Sequence, residues 1–568
     1  MKKIARYIAM AVMAGGCLAG YAQNAALTKE ITVETDFVPE VHKATKLNIL
    51  PTVAKSMKEN AKLDYSEWDG EIELPLMIKK YDAYCYNGER NYAETRGYVN
   101  AGVGTQMNIV GNVGYRIVDS DDMVVKAWVQ HLSTWMGKNS SALVQGDAQK
   151  QKVNDNVVGV DFAKMFAKGV LTAKAYYHYD GFNYYGVKPE QAVMNEENQG
   201  VNEVDVSVGW QNKRDNESGI RVWGDVKFNH IGFANGEYEK AKGMKENIFE
   251  MKAKVEAPMN KMGVGAEASW VHVDDRDMNV WDVNYYNKRY SMFTVVPFVK
   301  YSTERLRLQL GVNLDISAND GAALRFAPRV NASYTIANVV SLDVDVNGGK
   351  KVNTMSDFHA MCRYVNPSRD INTSYSPIDG KVALKIGAIV GAYVKPYFAY
   401  GVFDDECVLW GLTATPYVNT SKINMKGWSA GAEAGYKCGE VVNLTASVQY
   451  APQDNETGYR TGLDRAEWVV NARVKVRPMK KLDVTVGYEG RNNRAYYSEV
   501  LDVNEDIRTF SRMKLGNVAN VWVNAYYRLN DKTGVWVNAN NVLNKQWDDC
   551  VGMGAQKLNA MAGVTYVF

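Results

Sequence analysis

The chain alternates apolar and polar residues in long stretches that begin near residue 94 and continue to the C-terminus. Between residues 306 and 316, every even position is leucine, valine or isoleucine, and every odd position is polar, charged or glycine. Residues 342–347 and 558–568 follow the same alternation. Because the side chains of a β-strand point to opposite faces with period two, each stretch predicts a strand with one apolar and one polar face.

The length of these stretches favours a membrane barrel over a soluble sheet. Strands of soluble sandwiches average about five or six residues, whereas these are roughly twice as long and suit a tilted crossing of a bilayer about 30 Å thick. Backbone groups in hydrocarbon must all be paired, so the pattern predicts an all-β, transmembrane antiparallel β-barrel. A secreted solenoid or stacked-sheet adhesin is the alternative, which the absence of a fixed sequence repeat disfavours.

The number of strands follows from the order of short turns and long loops. Short inner turns are predicted near Asp119, Ala167, Asn216, Met259, Thr303, Ala337, Val390, Gly439, Met479 and Asp531. Longer outer loops are predicted at 134–152, 181–201, 274–288, 350–378, 452–464, 496–511 and 546–555. A first count gives 23 stretches, but single-chain bacterial barrels have an even number of strands. We therefore interpret 404–422 as an outer loop, which predicts about 22 strands with long extracellular loops and both termini periplasmic.

The N-terminus has the pattern of a secretory signal peptide. A basic head precedes the uncharged apolar stretch Tyr7–Ala19, and small residues stand before Gln23. This pattern predicts a cleavable signal over 1–22 and export to the outer membrane of a Gram-negative bacterium. A lipoprotein signal acylated at Cys17 is the alternative, which the lack of leucine three residues earlier disfavours. The predicted domains are then 1–22, an N-terminal segment 23–93 and a barrel over 94–568.

Composition and charge exclude several classes of protein. The 46% hydrophobic content excludes a disordered chain. Lys plus Arg number 66 and Asp plus Glu 64, which excludes a nucleic-acid binder that relies on bulk positive charge. The cysteines are scattered without a Cys-x-x-Cys or Cys/His cluster, so we predict no disulfide scaffold, no structural metal and no cofactor. Cys362, Cys407 and Cys550 fall in predicted outer loops, and a Cys362–Cys407 bridge is one hypothesis for pinning a loop over the barrel mouth.

Charged residues on the polar faces of the strands are the candidate lining of the lumen, because charge on the lipid face is costly. These candidates are Lys252, Lys254, Glu256, Arg305, Arg307, Asp315, Asp343, Asp345, Asp483 and Glu489. A solvated wall of paired charges is favoured over a specific binding site. A second set is aromatic and is predicted to lie at an outer rim: Tyr176, Tyr177, Tyr179, Tyr184 and Tyr185. Such a set forms either the interfacial belt or a platform for a sugar or another flat ligand.

One motif suggests catalysis. Residues 427–431 match the Gly-x-Ser-x-Gly pattern around Ser429, but a nucleophile elbow needs a sharp turn from a strand into a helix. Here the alternation of a strand continues through the motif, so we predict that the chain is not an enzyme. A membrane-embedded hydrolase is the least favoured alternative.

The C-terminal segment resembles the end of a TonB-dependent outer-membrane receptor. Asn541–Lys545 is similar to a conserved-looking stretch before the last strand of such receptors, and the chain closes on the aromatic Phe568, which resembles the sorting signal read by barrel-assembly machinery. Residues 37–41 and 44–48 resemble the segment that leads into barrels of this kind in Bacteroidota. The resemblance implies a 22-strand barrel that imports a scarce nutrient, with outer-membrane lipids, the assembly machinery and TonB or a surface lipoprotein as partners.

The chain departs from this family at its N-terminus. The family carries a plug domain of well over a hundred residues, whereas only 23–93 is available here, and 29–33 is a weak match to a TonB box. An open 22-strand barrel would leak solutes, so we hypothesise that 23–93 and the long outer loops share the task of filling the lumen. A barrel that scaffolds surface proteins without transport is the alternative function.

Overall fold

The computed structural model describes residues 95–139, 149–185, 198–213, 219–236, 242–276, 289–337, 339–366, 371, 373–389, 391–411, 417–454, 458–460, 464–502, 507–550 and 552–568. The predicted signal peptide 1–22, the segment 23–93 with the weak TonB-box match, and Cys85 lie outside this part of the chain. Among the described residues, no helix has the length and apolarity needed to cross a membrane.

The described residues form 26 strands and two short helical elements. The strands are β1 Gly97–Gly104, β2 Ile109–Asp119, β3 Met123–Asn139, β4 Gln149–Met165, β5 Gly169–Asn183, β6 Asn198–Asn212, β7 Arg221–Phe233, β8 Lys245–Met259, β9 Met262–Arg276, β10 Arg289–Ser302, β11 Leu306–Ala318, β12 Leu324–Ala337, β13 Val340–Lys351, β14 Ser374–Ile389, β15 Ala392–Gly411, β16 Val418–Cys438, β17 Val442–Tyr450, β18 Trp468–Met479, β19 Leu482–Asn492, β20 Arg494–Asp502, β21 Ile507–Leu515, β22 Val518–Arg528, β23 Thr533–Asn540, β24 Asp548–Cys550, β25 Met553–Gly554 and β26 Asn559–Val567. The helical elements are a 3-10 turn, Thr105–Met107, and helix α1, Met355–Met361.

Twenty-two of these strands form one closed antiparallel sheet. Each of the 22 pairs with its neighbour along the chain, and the ring closes where β1 pairs with β26, from Tyr98 opposite Val567 to Gly104 opposite Met561. The remaining strands form two separate hairpins, β20–β21 and β24–β25, within long connections. The predicted 22-strand closed barrel is therefore confirmed.

The ten predicted short turns all join consecutive barrel strands at one end of the barrel. The long connections are at the other end, which we call the loop end. Within 404–422, the described residues 404–411 and 417–422 do not add a strand to the barrel, as predicted, but they are not an irregular loop. They extend β15 and β16 as a paired ladder from Glu406 opposite Ile423 to Gly411 opposite Val418. These residues therefore lengthen β15 and β16 instead of forming an additional strand.

The two faces of the barrel wall differ as the alternation predicts. On β11, Leu310 and Ile316 point outward with 48% and 50% of their surface exposed, whereas Asp315 has the opposite phase, is 1% exposed and points inward. The outer face is thus an apolar band suited to lipid, and the inner face is polar.

Charge introduced on the outer face is expected to destabilise the barrel. Leu310→Lys places an ammonium group on the apolar band near the middle of β11, where burial in hydrocarbon costs about 2–4 kcal/mol. Gln309→Lys, one residue away on the inner face, is the matched control and is expected to change stability by less than about 0.5 kcal/mol. Denaturant unfolding in lipid vesicles measures both variants, and an equal loss for the two would contradict the assigned faces.

Candidate functional site

Three of the predicted lumen residues lie together on the inner face of β8. Lys254 Nζ is 2.7 Å from Glu267 Oε1 on β9, and Arg329 on β12 reaches the other oxygen of Glu267 at 2.8 Å. Glu256 pairs with Lys300 of β10 at 2.8 Å, between Nζ and Oε2. Lys252 Nζ lies 2.7 Å from Glu250 Oε1 on the same strand. Charges of both signs therefore form neighbouring paired groups across β8, β9, β10 and β12.

The predicted residues on β11 and β13 occupy a neighbouring part of the wall. Asp315 accepts hydrogen bonds from Thr294 Oγ1 at 2.7 Å and from the backbone N–H of Lys350 at 2.8 Å. Asp343 accepts from Ser333 Oγ at 2.9 Å and pairs with Lys395 Nζ at 3.1 Å. Asp345 accepts from Asn331 Nδ2 at 3.1 Å, and Arg307 lies on β11 in register with Ser302.

One predicted wall residue is misplaced. Arg305 lies in the short turn between β10 and β11, outside both strands, and its carbonyl oxygen accepts from the Thr335 N–H at 2.7 Å. Thr303 ends the strand pairing of β10, because its hydroxyl forms hydrogen bonds with the backbone of Leu306. The alternation of charged residues continues through this turn only by chance. Arg305 is therefore a turn residue and not part of the lumen wall.

The last two predicted residues lie on β19, away from the paired groups on β8. Asp483 pairs with Arg477 at 2.6 Å between Oδ1 and Nε, and Arg477 also reaches Glu440 at 3.0 Å. Glu489 Oε1 lies 3.1 Å from Arg491 Nε. The structure thus distributes the predicted charges around the wall in separate paired groups.

The predicted aromatic rim divides into three parts. Tyr176 points into the lumen, opposite Asp205 in the register of β5 with β6, whereas Tyr177 and Tyr179 share the outward face. Tyr184 and Tyr185 lie beyond the end of β5 and are only 2% and 4% exposed. The prediction of a single rim was wrong because strand alternation separates the first three residues, and the strand ends before the last two.

Phe568 lies on the outward face at the short-turn end of the barrel. Its ring stacks on Tyr566 and Tyr115 with centroid distances of 5.9 and 6.0 Å. Its backbone N–H and C=O bond to the backbone of Gly97, which joins the chain end to β1. The role of Phe568 as a sorting signal stays a prediction.

The largest buried cluster of the described residues lies at the loop end, and we call it the loop core. It combines the start of the β5–β6 loop, the β13–β14 connection with α1, the tip of the β15–β16 hairpin and the β24–β25 hairpin. Its buried members are Phe182, Tyr184, Tyr185, Val201, Ile231, Phe233, Met244, Met355, Phe358, Cys362, Tyr364, Val365, Ile371, Tyr417, Val418 and Met553. Because many of these belong to the inner face of β5–β7, the β13–β14 connection is folded into the barrel.

A local sequence signal marks the start of α1. Thr354 is the N-cap, and its hydroxyl accepts a hydrogen bond from the backbone N–H of Asp357 at 3.0 Å. A threonine followed three residues later by an acidic residue resembles the beginning of a helix. The alternation analysis missed this helix because it treated 350–378 only as an outer loop.

Carboxylates of the barrel wall hold the N-terminal end of α1. Glu246 of β8 is fully buried, and both of its carboxylate oxygens lie 3.0 Å from the backbone N–H of Met355. Glu203 of β6 accepts from Ser356 Oγ at 2.6 Å. Free N–H groups at a helix start are good partners for carboxylates, so these two glutamates fix where α1 begins.

The C-terminal side of α1 is held by ion pairs to two other strands. Arg363 donates to Asp180 of β5 at 2.9 Å and to Asp155 of β4 at 3.0 Å. His359 Nε2 also lies 3.2 Å from Asp180 Oδ2. Wall carboxylates on β4, β5, β6 and β8 therefore anchor the inward-folded connection.

Further bonds join the other loops to the same core. The hydroxyl of Tyr185 donates to the carbonyl oxygen of Gly554 at 2.9 Å. Val418 N–H donates to Tyr364 O at 2.9 Å, which attaches the β13–β14 connection to the tip of the β15–β16 hairpin. Connections that are distant in sequence are thus assembled into one packed unit.

The loop cysteines lie in this unit, but not in the predicted pairing. Cys362 Sγ is 2.6 Å from Cys550 Sγ, whereas Cys407 packs on the edge of the loop core. The structure thus shows Cys550 in contact with Cys362, and the hypothesis of a Cys362–Cys407 bridge stays a prediction. Cys550 is 188 residues from Cys362, and no pattern in the sequence connects the two.

Ser429 is fully buried in the middle of β16, opposite Ala399 in the ladder. No helix follows it, so the residue does not sit on a nucleophile elbow. Among the described residues, no group of three or more His, Cys, Asp or Glu side chains is arranged to hold a metal ion.

A second buried ion cluster joins other connections of the loop end. Asp464, in the β17–β18 connection, is 4% exposed and pairs with Arg491 at 2.8 Å and with Arg494 at the start of β20. Burial alone would raise the pKa of the Asp464 carboxyl, but the two guanidinium groups outweigh it and lower that pKa below its usual range.

This cluster is expected to make one loop contact dependent on pH. The pKa of Asp464 is lowered on folding. The stability that its ion pairs give to the loop contact is therefore complete above the unfolded pKa of about 3.9, and it is lost as the pH falls through the lower folded pKa. The Ala495 N–H, which donates to the Asp464 carbonyl oxygen at 2.9 Å, reports on the contact. We expect its hydrogen-exchange protection factor to be constant from about pH 7 to 5 and to fall below about pH 4.

The control for this measurement is Asp464→Asn, which removes the titrating group and should abolish the pH dependence. A protection factor that falls equally in this variant and in the parent protein would assign the effect to another group.

Comparison with solved structures identifies similar folds at low sequence identity. The siderophore receptor PirA from Acinetobacter baumannii superposes with a TM-score of 0.63 at 11% identity, over 84% of this chain and 80% of that chain. A ferric enterobactin receptor (PfeA) variant from Pseudomonas aeruginosa, in complex with enterobactin, gives 0.62 at 11% identity, over 84% and 81%. The ferripyoverdine receptor of the outer membrane of Pseudomonas aeruginosa, bound to ferripyoverdine, gives 0.58 at 13% identity, over 84% and 72%.

No protein-family profile matches the chain, and no curated protein sequence matches it. The structural likenesses agree with the closed ring of 22 strands in topology and size. The chain therefore has the 22-strand barrel fold of the TonB-dependent receptors.

Proposed function

We propose that this chain is an outer-membrane receptor that binds a bulky nutrient at the cell surface and passes it through the barrel. The observation that carries the proposal is the β13–β14 connection, which is folded inward and anchored by wall carboxylates at Glu203, Glu246, Asp155 and Asp180. A wide barrel needs its lumen narrowed, and an anchored loop that can be released supplies both a closed state and a route for opening.

The orientation of the barrel in the membrane is proposed from the lengths of the connections at its two ends. Single-chain outer-membrane barrels have short periplasmic turns and long extracellular loops. We therefore propose that the loop core lies at the cell surface and that the first and last residues of the barrel sequence lie on the periplasmic side. In this orientation the loop core meets the nutrient first, and the paired charges on β8–β12 line the route behind it.

The lumen wall supports a polar nutrient without strong selection by charge. Lys254 and Arg329 flank Glu267, and Lys300 faces Glu256, so both signs are presented side by side on the wall. A wall of mixed sign does not select cations or anions as a ring of one sign does. Ferric siderophores are the first ligand class to test, because solved receptors of similar fold are described as siderophore receptors.

Partners follow from the proposed location. The outward apolar band requires outer-membrane lipid, and the exposed terminal Phe568 suits recognition by barrel-assembly machinery. Import against a gradient needs an energy source, for which TonB is the candidate, and a surface lipoprotein is the candidate for delivering ligand. The segment 23–93 is the candidate for contact with TonB.

Uptake in a strain that lacks the chromosomal copy tests this function. The strain is complemented with the full chain or with an Arg307→Ala, Lys254→Ala double variant, and accumulation of radiolabelled ferric enterobactin and of other iron chelates is measured. We expect accumulation to require the full chain and to fall in the variant. Equal accumulation with and without the chain, for every chelate and for glycans, would contradict a transport function.

The packed loop core favours a second candidate function, which is a closed barrel that scaffolds surface proteins. Several loops are assembled there into one packed unit, which is a suitable platform for a partner. Stable co-purification of a surface lipoprotein, together with absence of any ligand-dependent uptake, would support this function over transport.

A further inference from the structure

The two cysteines at the centre of the loop core lie close enough to react with each other. Cys362 Sγ and Cys550 Sγ are 2.6 Å apart and are not bonded in the structure. A disulfide has a sulfur–sulfur distance of about 2.05 Å, so a small movement of the two side chains brings them to bonding distance. Cys362 is 3% exposed, and its surroundings are the apolar residues of the loop core.

The backbone on each side of this contact is held by independent bonds. Cys362 caps the end of α1, where its N–H donates to the Phe358 carbonyl oxygen at 2.8 Å. Cys550 ends β24, whose first residue, Asp548, accepts from Arg494 Nη2 at 2.8 Å through its carbonyl oxygen. The approach of the two sulfurs is therefore fixed by the fold of both loops.

We propose that Cys362 and Cys550 form a disulfide that links the β13–β14 connection covalently to the β23–β26 connection. Each thiol loses one proton and one electron, and one S–S bond forms. The electron pair passes by thiol–disulfide exchange to the disulfide of a thiol oxidoreductase, which is released as a dithiol. The reaction needs the oxidising side of the inner membrane, so this step rests on the proposed outer-membrane location.

The bridge has a specific consequence for the loop core. Carboxylates of β4, β5, β6 and β8 hold the inner side of the β13–β14 connection, and the bridge would hold the residue directly after α1. A ligand or partner could then displace the ion pairs without freeing the connection from the barrel. The disulfide limits how far this loop can move and sets a hinge at Cys362.

Counting the free thiols of the parent protein and of variants in which one cysteine is replaced by serine tests the pairing. Mature protein is purified without reductant, denatured in the presence of a maleimide and digested, and the modified and linked peptides are identified by mass spectrometry. The chain has six cysteines, of which Cys17 lies in the predicted signal peptide. We expect three of the remaining five to react, together with one linked peptide pair that contains Cys362 and Cys550.

The variants give opposite results for the possible pairings. Cys362→Ser should raise the number of reactive thiols from three to four, because it frees Cys550, whereas Cys407→Ser should lower it from three to two. The exposed Cys438 provides a matched control, since Cys438→Ser should also lower the number to two. Heat-modifiable migration on a denaturing gel confirms that each variant forms a barrel.

Other outcomes overturn the proposal. Five reactive thiols in the unreduced parent protein would mean that no bridge forms. A rise to four with Cys407→Ser would assign the bridge to Cys407 instead of Cys550. The readout is covalent and does not depend on transport, so a failure of the proposed function leaves the thiol count interpretable and a failure of the bridge leaves the uptake experiment interpretable.

Discussion

Replacing residues 352–373 by a four-residue Gly/Ser linker is expected to increase the permeability of the outer membrane to large antibiotics by at least about tenfold. The replacement is geometrically simple, because Lys351 and Ser374 are already paired in the ladder between β13 and β14, and a short turn can join them. It removes α1 and the residues that occupy the lumen beside β4–β8. A lumen of this size without filling conducts solutes freely.

The measurement combines antibiotic susceptibility with single-channel conductance in planar bilayers. Three variants are compared with the full chain: the loop replacement, deletion of 23–93, and both changes together. If the loop and the N-terminal segment share the task of filling the lumen, the double variant conducts most, and each single variant conducts less. Unchanged permeability after deletion of 23–93 would count against a role for that segment, and an impermeable double variant would show that another part of the chain fills the lumen.

Arg494→Ala is expected to disrupt the loop end while leaving the barrel ladder intact. The Arg494 side chain is 1% exposed and pairs with Asp464, donates to Gly516 O at 2.6 Å and donates to Asp548 O at 2.8 Å. One guanidinium group therefore connects the β17–β18, β19–β22 and β23–β26 connections. Removing one partner of a buried ion pair typically costs about 3–5 kcal/mol, because the remaining charge is left without full compensation.

Local hydrogen exchange distinguishes this loss from global unfolding. We expect protection to fall around 548–555 and at Ala495, and to stay unchanged in the β11–β12 ladder. Arg494→Lys should recover only part of the protection, because the three donors of an ammonium group start from one nitrogen, whereas Arg494 donates from three separate nitrogens of a planar group. Arg289→Ala is the matched control, since Arg289 is 63% exposed and pairs with Asp274 at the surface; such pairs contribute about 0–1 kcal/mol.

An unchanged exchange pattern in Arg494→Ala would contradict the assembly of these connections through one residue. Loss of hydrogen-exchange protection throughout the barrel strands would also contradict this assembly, because the strand ladder does not depend on Arg494.

The barrel could be predicted from sequence because strand alternation is a local property. Leu310 and Asp315 differ in burial because they differ in phase, and the ten short turns were located from interruptions of that phase. Arg305 was misplaced for the same reason, since its charge continued the alternation through a turn. Period two assigns a residue to a face only while the chain remains a strand.

The partners of the lumen charges could not be predicted in the same way. Glu267 of β9 meets Arg329 of β12 across the two strands between them, at a separation of 62 residues. Such a contact depends on the register and tilt of every strand between the two residues, and no local pattern encodes it.

The loop core was hidden from sequence reasoning for a related reason. Tyr184, Phe358 and Met553 are apolar residues in segments without periodicity, so nothing in each segment indicates that the three pack together. The cap at Thr354 and Asp357 was the available local signal, and it predicts a helix but not its position inside the barrel. The contact of Cys362 with Cys550 is of the same kind, because it exists only after distant connections have been packed.

The seam between β1 and β26 has a consequence for biogenesis. Gly97 bonds to Phe568, so the hydrogen bonds that complete the cylinder join residues from opposite extremes of the barrel sequence. Until the final strand has been synthesised and delivered, both margins of the growing sheet present unsatisfied amides to their surroundings. An assembly intermediate that lacks β26 therefore leaves the pairing edges of β1 and β23 open to other strands.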